Sequence, residues 1–141
     1  MQDRFKFRYV FKKDFGGKTG ICYKMPIFNL DTVTDENFNK IIKSYIDYGY
    51  KLISIEQSTG LKDKNGNLIY EGDIIQVEFK NETHIAVVEY DKKDTGFGCK
   101  FNPKSDILYS LSPMESRGLI IGNIYENSEL LKKFNNINQE N

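Results

Sequence analysis

Hydrophobic and basic side chains alternate at the start of the chain, through residues 4–11. The alternation places four aromatic side chains on one face and three cations on the other: Phe5, Phe7, Tyr9 and Phe11 against Arg4, Lys6 and Arg8. A period of two residues is typical of a strand with one face toward a core. The sequence therefore predicts a first strand here, a loose hairpin loop over residues 12–20, and a second strand over 21–30 whose pairing Pro26 interrupts.

Residues 31–49 follow a different period, because their apolar side chains recur every three or four positions. These side chains share one stripe of a helix: Phe38, Ile41, Ile42, Tyr45 and Ile46. Asp31 or one of the two threonines after it can cap the start of such a helix, and Gly49 accepts the left-handed backbone that ends it. The sequence predicts an amphipathic helix whose stripe packs on the core.

The second half of the chain is rich in short apolar runs separated by turn residues. After a strand predicted over residues 50–58, we expect five short strands: residues 73–79, 84–90, 97–101, 107–111 and 119–125. Short strands with tight turns are typical of small barrels. The predicted fold is α+β and predominantly antiparallel β, with N-terminal strands, one packed amphipathic helix and an SH3-like small barrel in the C-terminal half. A final helix is expected over 128–134 and a mobile tail over 135–141.

Residues 59–75 carry the most distinctive turn chemistry in the chain. Asn65-Gly66 places two residues that tolerate positive φ side by side, which predicts a type I′ hairpin turn. Gly60 is expected to end the preceding strand, and Glu71-Gly72-Asp73 to form a second tight turn. We interpret the carboxylates in this stretch, including that of Asp63, as acceptors for nearby backbone N–H groups.

This central stretch closely resembles the central signature of the YopX family of phage and prophage proteins, through residues 59–66 and 69–74. Residues 5–8 resemble the family's amino-terminal strand, and residues 120–127 with 129–131 its carboxy-terminal segment. The resemblance assigns a structural signature to eight residues: Gly60, Asn65, Gly66, Glu71, Gly72, Asp73, Gly122 and Asn123. Tyr9-Val10, Ser128 and a longer helix-bearing insert depart from the family pattern and affect only the details of loops.

The resemblance implies a fold and a biological context, but no reaction. It implies a single YopX-like domain over residues 1–134, with strands and a helix in residues 1–58 and the turns and barrel in residues 59–134. It also implies a protein encoded by a phage or prophage, so its partners would be host or phage molecules.

Charge is unevenly distributed along a chain whose formal net charge is zero. Residues 1–30 carry seven basic and two acidic residues, a balance of +5, and residues 31–141 carry thirteen basic and eighteen acidic residues, a balance of −5.

The two cysteines, Cys22 and Cys99, lack CxxC spacing. There is no signal-peptide pattern and no apolar run long enough to span a membrane, so we expect free thiols in a cytoplasm and no membrane partner.

Candidate catalytic residues are few. His84 is the only histidine, and it lacks neighbouring ligands for zinc. A dyad of His84 with Cys99 is one alternative, since a cysteine nucleophile needs a partner base. Buried cysteines and strand histidines are more often structural. No phosphate-binding or dinucleotide glycine pattern is present. We therefore expect no enzyme activity and no cofactor. The alternative is a small hydrolase or nuclease that uses His84 with Cys99 or with nearby carboxylates.

The basic face of the first strand is a candidate polyanion site. It comprises Arg4, Lys6, Arg8, Lys12 and Lys13. Cations two residues apart on a strand stand about 6.6–6.8 Å from one another, close to the phosphate spacing of nucleic acid. Exposed tyrosines such as Tyr23 or Tyr109 can stack on bases. The competing interpretation, which we prefer, is a solvated strand face or an edge strand whose charges prevent aggregation.

The sequence thus leaves several functions open. The leading hypothesis is an accessory protein that binds a host or phage protein, and the second is a nucleic-acid-binding protein that uses the basic strand. Exposed sheet edges also make a homo-oligomer conceivable.

Overall fold

The structure, a computed structural model, describes residues 2–136. Over this range the chain is mostly antiparallel β with several short helices, which confirms the predicted fold class at that level. The chain divides into two compact units, Met1–Ser58 and Thr59–Asn141. No helix in the described range is long and apolar enough to cross a membrane.

Strand β1 (Lys6–Asp14) organises the first unit, because three strands pair with it: β2 (Ile21–Lys24), β3 (Ile27–Asn29) and β4 (Lys51–Lys62). Pro26 separates β2 from β3, as predicted. The predicted start of the first strand was wrong, because residues 2–5 form a 3₁₀ turn and leave Phe5 44% exposed. Pairing with β3 begins only at Lys6, opposite Asn29, so no partner strand holds the preceding residues extended.

The predicted helix exists but is shorter than expected. A single helical turn, α1 (Leu30–Val33), precedes α2 (Glu36–Asp47), whose cap is Asp35: its carboxylate accepts a hydrogen bond from the N–H of Asn37. Of the predicted stripe, Phe38, Ile42 and Tyr45 pack on the core, whereas the other two members, Ile41 and Ile46, are 38% and 55% exposed. At about 100° per residue, these two lie at the margins of the stripe and miss the sheet.

Aromatic rings form the core of the first unit. Tyr9, Phe28 and Phe38 meet edge to face, with ring centroids 5.1–5.4 Å apart. Phe11 stacks on Tyr45 at 4.5 Å, so the aromatic face of β1 meets α2 as the alternation predicts. Such ring pairs each add about 0.5–1.5 kcal/mol beyond the burial of their area. The helix is therefore held mainly by aromatic packing.

The second unit contains a four-stranded antiparallel sheet in the order β8–β7–β6–β9. Its strands are β6 (Asp73–Phe79), β7 (Glu82–Asp91), β8 (Gly96–Lys100) and β9 (Gly118–Asn123), and β5 (Leu68–Tyr70) pairs with the end of β4. Two helices complete the unit: α3 (Met114–Arg117), which was not predicted, and α4 (Ser128–Asn136). Residues 135 and 136 are helical rather than part of a tail, and residues 137–141 lie outside the described range.

The predicted strand over residues 107–111 is absent from the described chain. A single bridge joins Tyr109 to Cys99 instead. Side-chain oxygens capture the backbone just before it, since Asn102 accepts from the N–H of Lys104 and Ser105 from that of Ile107. Such local hydrogen bonds compete with strand pairing.

Two apolar clusters cover the two faces of this sheet. The larger cluster includes Ile75, Val77, Ala86, Val88 and Cys99 from alternate strand positions, together with Ile69, Leu111 and Met114. The smaller cluster joins Ile74 and Val87 to Phe134 of α4. Alternation along β6 and β7 thus divides each strand between two packed surfaces, which accounts for the continuous apolar runs in the sequence.

The hairpin turns differ from the predicted ones. Gly60 lies inside β4 with φ of +80° and does not end the strand. Asn65 keeps a negative φ, and the turn is a type I turn followed by Gly66 in the left-handed region (φ +81°), not a type I′ turn. The two-residue loop with positive φ at both positions is Lys80-Asn81, with φ of 51° and 62°, between β6 and β7.

Candidate ligand-binding pocket

A depression of about 380 Å³ opens in the second unit, at one end of the larger apolar cluster. Val77 and Met114 belong to that buried cluster and also line the depression, so they form its floor. Val77 pairs with His84 across the strands, which places both side chains on the same face of the sheet. The depression is therefore an extension of the core that protein atoms do not fill.

Helix α3 sits close to the sheet because β9 begins with a glycine. A Cβ atom on Gly118 would lie 2.8 Å from Sδ of Met114 and 3.1 Å from Ile75. Only a residue without a side chain allows Met114 to rest there, so the floor is built into the fold. A preformed floor means that little ordering is required when a ligand enters.

Aromatic rings form the walls of the pocket. Phe101 meets Tyr109 at 5.5 Å between ring centroids and the ring of His84 at 6.3 Å, both edge to face. Phe79 and Tyr109 are 48% and 54% exposed, although aromatic side chains usually bury most of their area. Tyr109 is fixed in place by two backbone hydrogen bonds of 2.9 Å with Cys99. The walls thus present aromatic surface to solvent around a concave apolar floor.

Positive charge lies beside this aromatic surface. The guanidinium of Arg117 is 5.9 Å from the centroid of the Phe79 ring, and Nζ of Lys80 is 5.4 Å from the same centroid. His84 Nε2 lies 3.6 Å from a carboxylate oxygen of Glu82. Within residues 2–136, no carboxylate lies within ion-pair distance of Arg117 or Lys80.

The structure does not bring the proposed dyad of His84 and Cys99 together. Cys99 is opposite Val88, and His84 lies four positions farther along β7, roughly 13 Å at the ordinary rise of a strand. Cys99 is fully buried, and burial raises the pKa of its thiol to about 11. Its Sγ donates to the carbonyl of Tyr109. Among the described residues, no group of three or more histidine, cysteine or carboxylate side chains is placed to hold a metal ion.

The residues of the predicted polyanion site have different surroundings. Arg8 donates through Nε to Glu56 at 2.9 Å, and the side chains of this pair are only 11% and 3% exposed. The other paired cations are Lys6, whose Nζ is 3.1 Å from Asp3, and Lys13, which donates to the backbone carbonyl of Tyr48 and lies near the rings of Phe15 and Tyr50. Arg4 is exposed and Lys12 half-buried. The five cations do not form one uniformly exposed row.

The carboxylate of Asp63 holds the central signature together. One oxygen accepts from the N–H groups of Asn65 and Asn67, at 3.0 and 2.9 Å, and the other from the N–H of Ile120 in β9, at 3.0 Å. Burial alone would raise the pKa of Asp63, but these backbone hydrogen bonds outweigh it and hold the pKa below its ordinary value. The residue is 3% exposed. Asp63 therefore connects the turn to strand β9 through hydrogen bonds.

Three of the eight signature residues also hold turns: Gly72, Asp73 and Asn123. Asp73 accepts a hydrogen bond of 2.8 Å from the N–H of Tyr70, which confirms that its carboxylate serves a local backbone donor. Gly72, with φ of +84°, donates to Val88 and accepts from Ile124. The Asn123 side chain accepts from the N–H groups of the two residues at positions 125 and 126.

Close approach explains why Gly122 carries no side chain. A Cβ atom there would overlap the side-chain amide of Asn127, whose oxygen accepts from the N–H of Asn123. The glycine and the two asparagines therefore act together at the junction between β9 and α4. These signature residues thus make the contacts that join the turns and α4 to the sheet of the second unit.

Some pocket residues are identifiable from the sequence and others are not. His84 and Tyr109 stand out as a sole histidine and an exposed tyrosine. Phe79 reads as a core residue because it continues the alternation of Ile75 and Val77, yet it lies at the solvent end of β6. The available signal was the tight loop after it, since Phe79 directly precedes that loop and His84 follows it by three residues, so both lie near the same end of the hairpin.

The fold and the signature contacts define a small, mostly antiparallel β protein whose characteristic residues secure turns between strands. The family described as YopX protein matches residues 17–132, and the chain belongs to that family. Its structure is similar to the crystal structure of protein EF1440 from Enterococcus faecalis, with 28% identity, 87% of this chain and 74% of that chain covered, and a TM-score of 0.43. No curated protein matches the chain.

Proposed function

We propose that this protein is a non-enzymatic binding module that holds an apolar side chain of a partner protein in the pocket of the second unit. The observation that carries the proposal is the combination of a buried apolar floor with exposed aromatic walls. Ligand sites are concave and mostly apolar, with few polar groups. Apolar surface that faces water carries a free-energy cost, and that cost is removed when an apolar group displaces the water.

The size of the pocket favours a side chain over a large ligand. Its volume of about 380 Å³ is near the lower end of the roughly 300–1,000 Å³ typical of small-molecule sites. Interfaces between proteins commonly depend on one aromatic or aliphatic anchor in such a pocket. A phage or host protein that presents this anchor fits the biological context that the family suggests, and the host cytoplasm is the compartment we propose.

Panning a displayed random peptide library on the purified protein tests the proposal. Tyr109→Ala removes one wall of the pocket, and Tyr90→Ala is its matched control, because Tyr90 is 44% exposed and meets Phe97 edge to face at 5.3 Å outside the pocket. We expect peptides with aromatic or large aliphatic residues to be enriched on the wild type and on Tyr90→Ala, and lost on Tyr109→Ala. Equal enrichment on both variants, or none on the wild type, would contradict the proposed site.

Nucleic acid is the second candidate ligand, through Arg4 and the four cations of β1. Three of these five cations already have partners within the protein, which makes them less available to phosphates. A salt series with mixed-sequence single- and double-stranded DNA and RNA, using wild type and the variant with Arg4, Lys6 and Arg8 changed to alanine, tests this function. A phosphate-tracking strand would give affinity that falls steeply with salt, with a slope reduced by about two to three units in the variant. Absence of binding at low salt would exclude it.

We also infer that the sheet of the second unit belongs to a small barrel of the SH3-like kind. In support, β6, β7 and β8 are successive antiparallel neighbours, and β9 returns to the free side of β6. The register shifts between Ile74 and Ile75 where β6 meets β9, and such bulges bend strands in small barrels. An experimental structure with a flat sheet would argue against this assignment.

A further inference from the structure

The cations at the edge of the pocket indicate what accompanies the apolar anchor. Arg117 lines the pocket, and its guanidinium and the Nζ of Lys80 lie over the ring of Phe79. In the part of the chain that the structure describes, neither cation is paired with a carboxylate. An acidic group, Glu82, also lies at this edge, because it pairs with Phe79 across the hairpin; its carboxylate is 3.6 Å from His84 Nε2. Among the described residues, the edge of the site therefore carries two cations and one carboxylate, and neither cation is in an ion pair.

We infer that the partner segment carries a carboxylate directly beside its apolar anchor, an inference that rests on the proposed function. The apolar floor formed by Val77 and Met114 would strongly disfavour a charge, so the carboxylate must remain at the edge. A guanidinium that lies over an aromatic ring keeps its in-plane N–H groups for another acceptor, and a carboxylate can accept two of them at once. Arg117 would be the principal contact.

The same floor disfavours a nucleobase. A base has hydrogen-bonding groups along its edge, and Val77 and Met114 offer no partners for them. Burying those groups unpaired costs free energy that an apolar side chain avoids. The combination of an apolar floor and a cationic edge is complementary to a polypeptide with neighbouring apolar and acidic residues.

A pair of small probes separates the two parts of the site. The probes are N-acetyl-phenylalanine, which has a free carboxylate, and its neutral amide, titrated into ¹⁵N-labelled protein while amide shifts of pocket residues are followed. Arg117→Gln removes the proposed contact, and Arg4→Gln removes an exposed arginine of the first unit as the matched control. Raising NaCl from about 0.02 to 0.5 M gives a second measurement that needs no variant.

We expect the wild type and Arg4→Gln to bind the carboxylate probe about 3- to 10-fold more tightly than the amide. The ratio should fall to about one in Arg117→Gln and at high salt, while affinity for the amide stays unchanged. Equal binding of both probes by the wild type would overturn the inference and leave the apolar pocket in place. Failure of both probes to bind would remove the proposed function as well. Preferential binding of a thymidine octanucleotide in the pocket would overturn the inference in favour of nucleic acid.

Discussion

Replacing Asp63 with alanine should strongly destabilise the second unit. The substitution leaves three backbone N–H groups without their acceptor, two in the turn and one in the half-buried strand β9. A hydrogen bond to a charged group contributes about 1.5–3 kcal/mol, and an unsatisfied buried donor costs about 1–3 kcal/mol. The two turn donors can recover part of this from water, so we expect a total loss of about 3–5 kcal/mol in the free energy of unfolding.

Urea unfolding followed by circular dichroism measures this loss, since the chain has no tryptophan. The matched control is Asp94→Ala, which removes an exposed carboxylate in the turn between β7 and β8 and should change stability by less than about 0.5 kcal/mol. The stability loss of Asp63→Asn should lie between those of Asp63→Ala and Asp94→Ala. An amide accepts hydrogen bonds through its oxygen only and turns its NH₂ group toward the other backbone donors. A loss for Asp63→Ala no larger than that of Asp94→Ala would refute the role assigned to the carboxylate.

The same residue gives a pH dependence with a definite sign. Its pKa in the folded protein is lower than in the unfolded chain, where it is about 3.9. Its contribution is therefore fully present above the unfolded pKa and is lost as the pH falls through the folded pKa. The difference in unfolding free energy between wild type and Asp63→Asn should be constant from about pH 5 to 7 and shrink below about pH 4. If the unfolding free energies of wild type and Asp63→Asn kept a constant difference down to acid pH, the lowered pKa of Asp63 would be contradicted.

Two further substitutions or reactions test the packing. Ile42→Asp should lower the unfolding free energy of the first unit by at least about 2 kcal/mol, because Ile42 packs on the aromatic core. Ile46→Asp is the control and should have little effect, because Ile46 is 55% exposed. Equal midpoints of thermal unfolding for the two variants would show that this packing of the helix is wrong. A thiol reagent at pH 8 should modify Cys22 first and Cys99 only after unfolding, because Cys99 is buried with a pKa of about 11. Equal rates for both thiols would show that Cys99 is accessible.

The elements with strong periodicity could be predicted from the sequence. The aromatic alternation of β1 and the stripe of α2 each bury one face, and such patterns fix both the element and its orientation. The turns could not be identified with the same accuracy. Asn65-Gly66 satisfies the usual composition of a type I′ turn, but the buried Asp63 side chain stabilises a different turn through a contact with Ile120, which is distant in sequence. Local composition contains no information about such a contact.

The pocket could not be predicted for a related reason. Its floor and walls come from β6, β7 and the long segment after β8, so their meeting depends on the topology of the sheet. The basic strand was conspicuous in the sequence because its cations are adjacent in the chain. The partner of Arg8, Glu56, lies 48 residues away and becomes apparent only when β4 pairs with β1. A row of cations is thus easy to recognise in the sequence, whereas their ion-pair partners, which lie far away in the chain, are not.

Photo-crosslinking tests most directly whether the pocket is the binding site. The probe is a short acetylated peptide that carries photo-leucine, a diazirine analogue of leucine, next to glutamate, with adducts located by mass spectrometry. We expect adducts on Met114 and Tyr109 of the wild type and their loss when the same peptide with unmodified leucine is added in excess. Adducts concentrated instead on the exposed apolar side chains of β4, at Leu52, Ile53 and Ile55, would contradict the assignment and move the binding surface to the first unit.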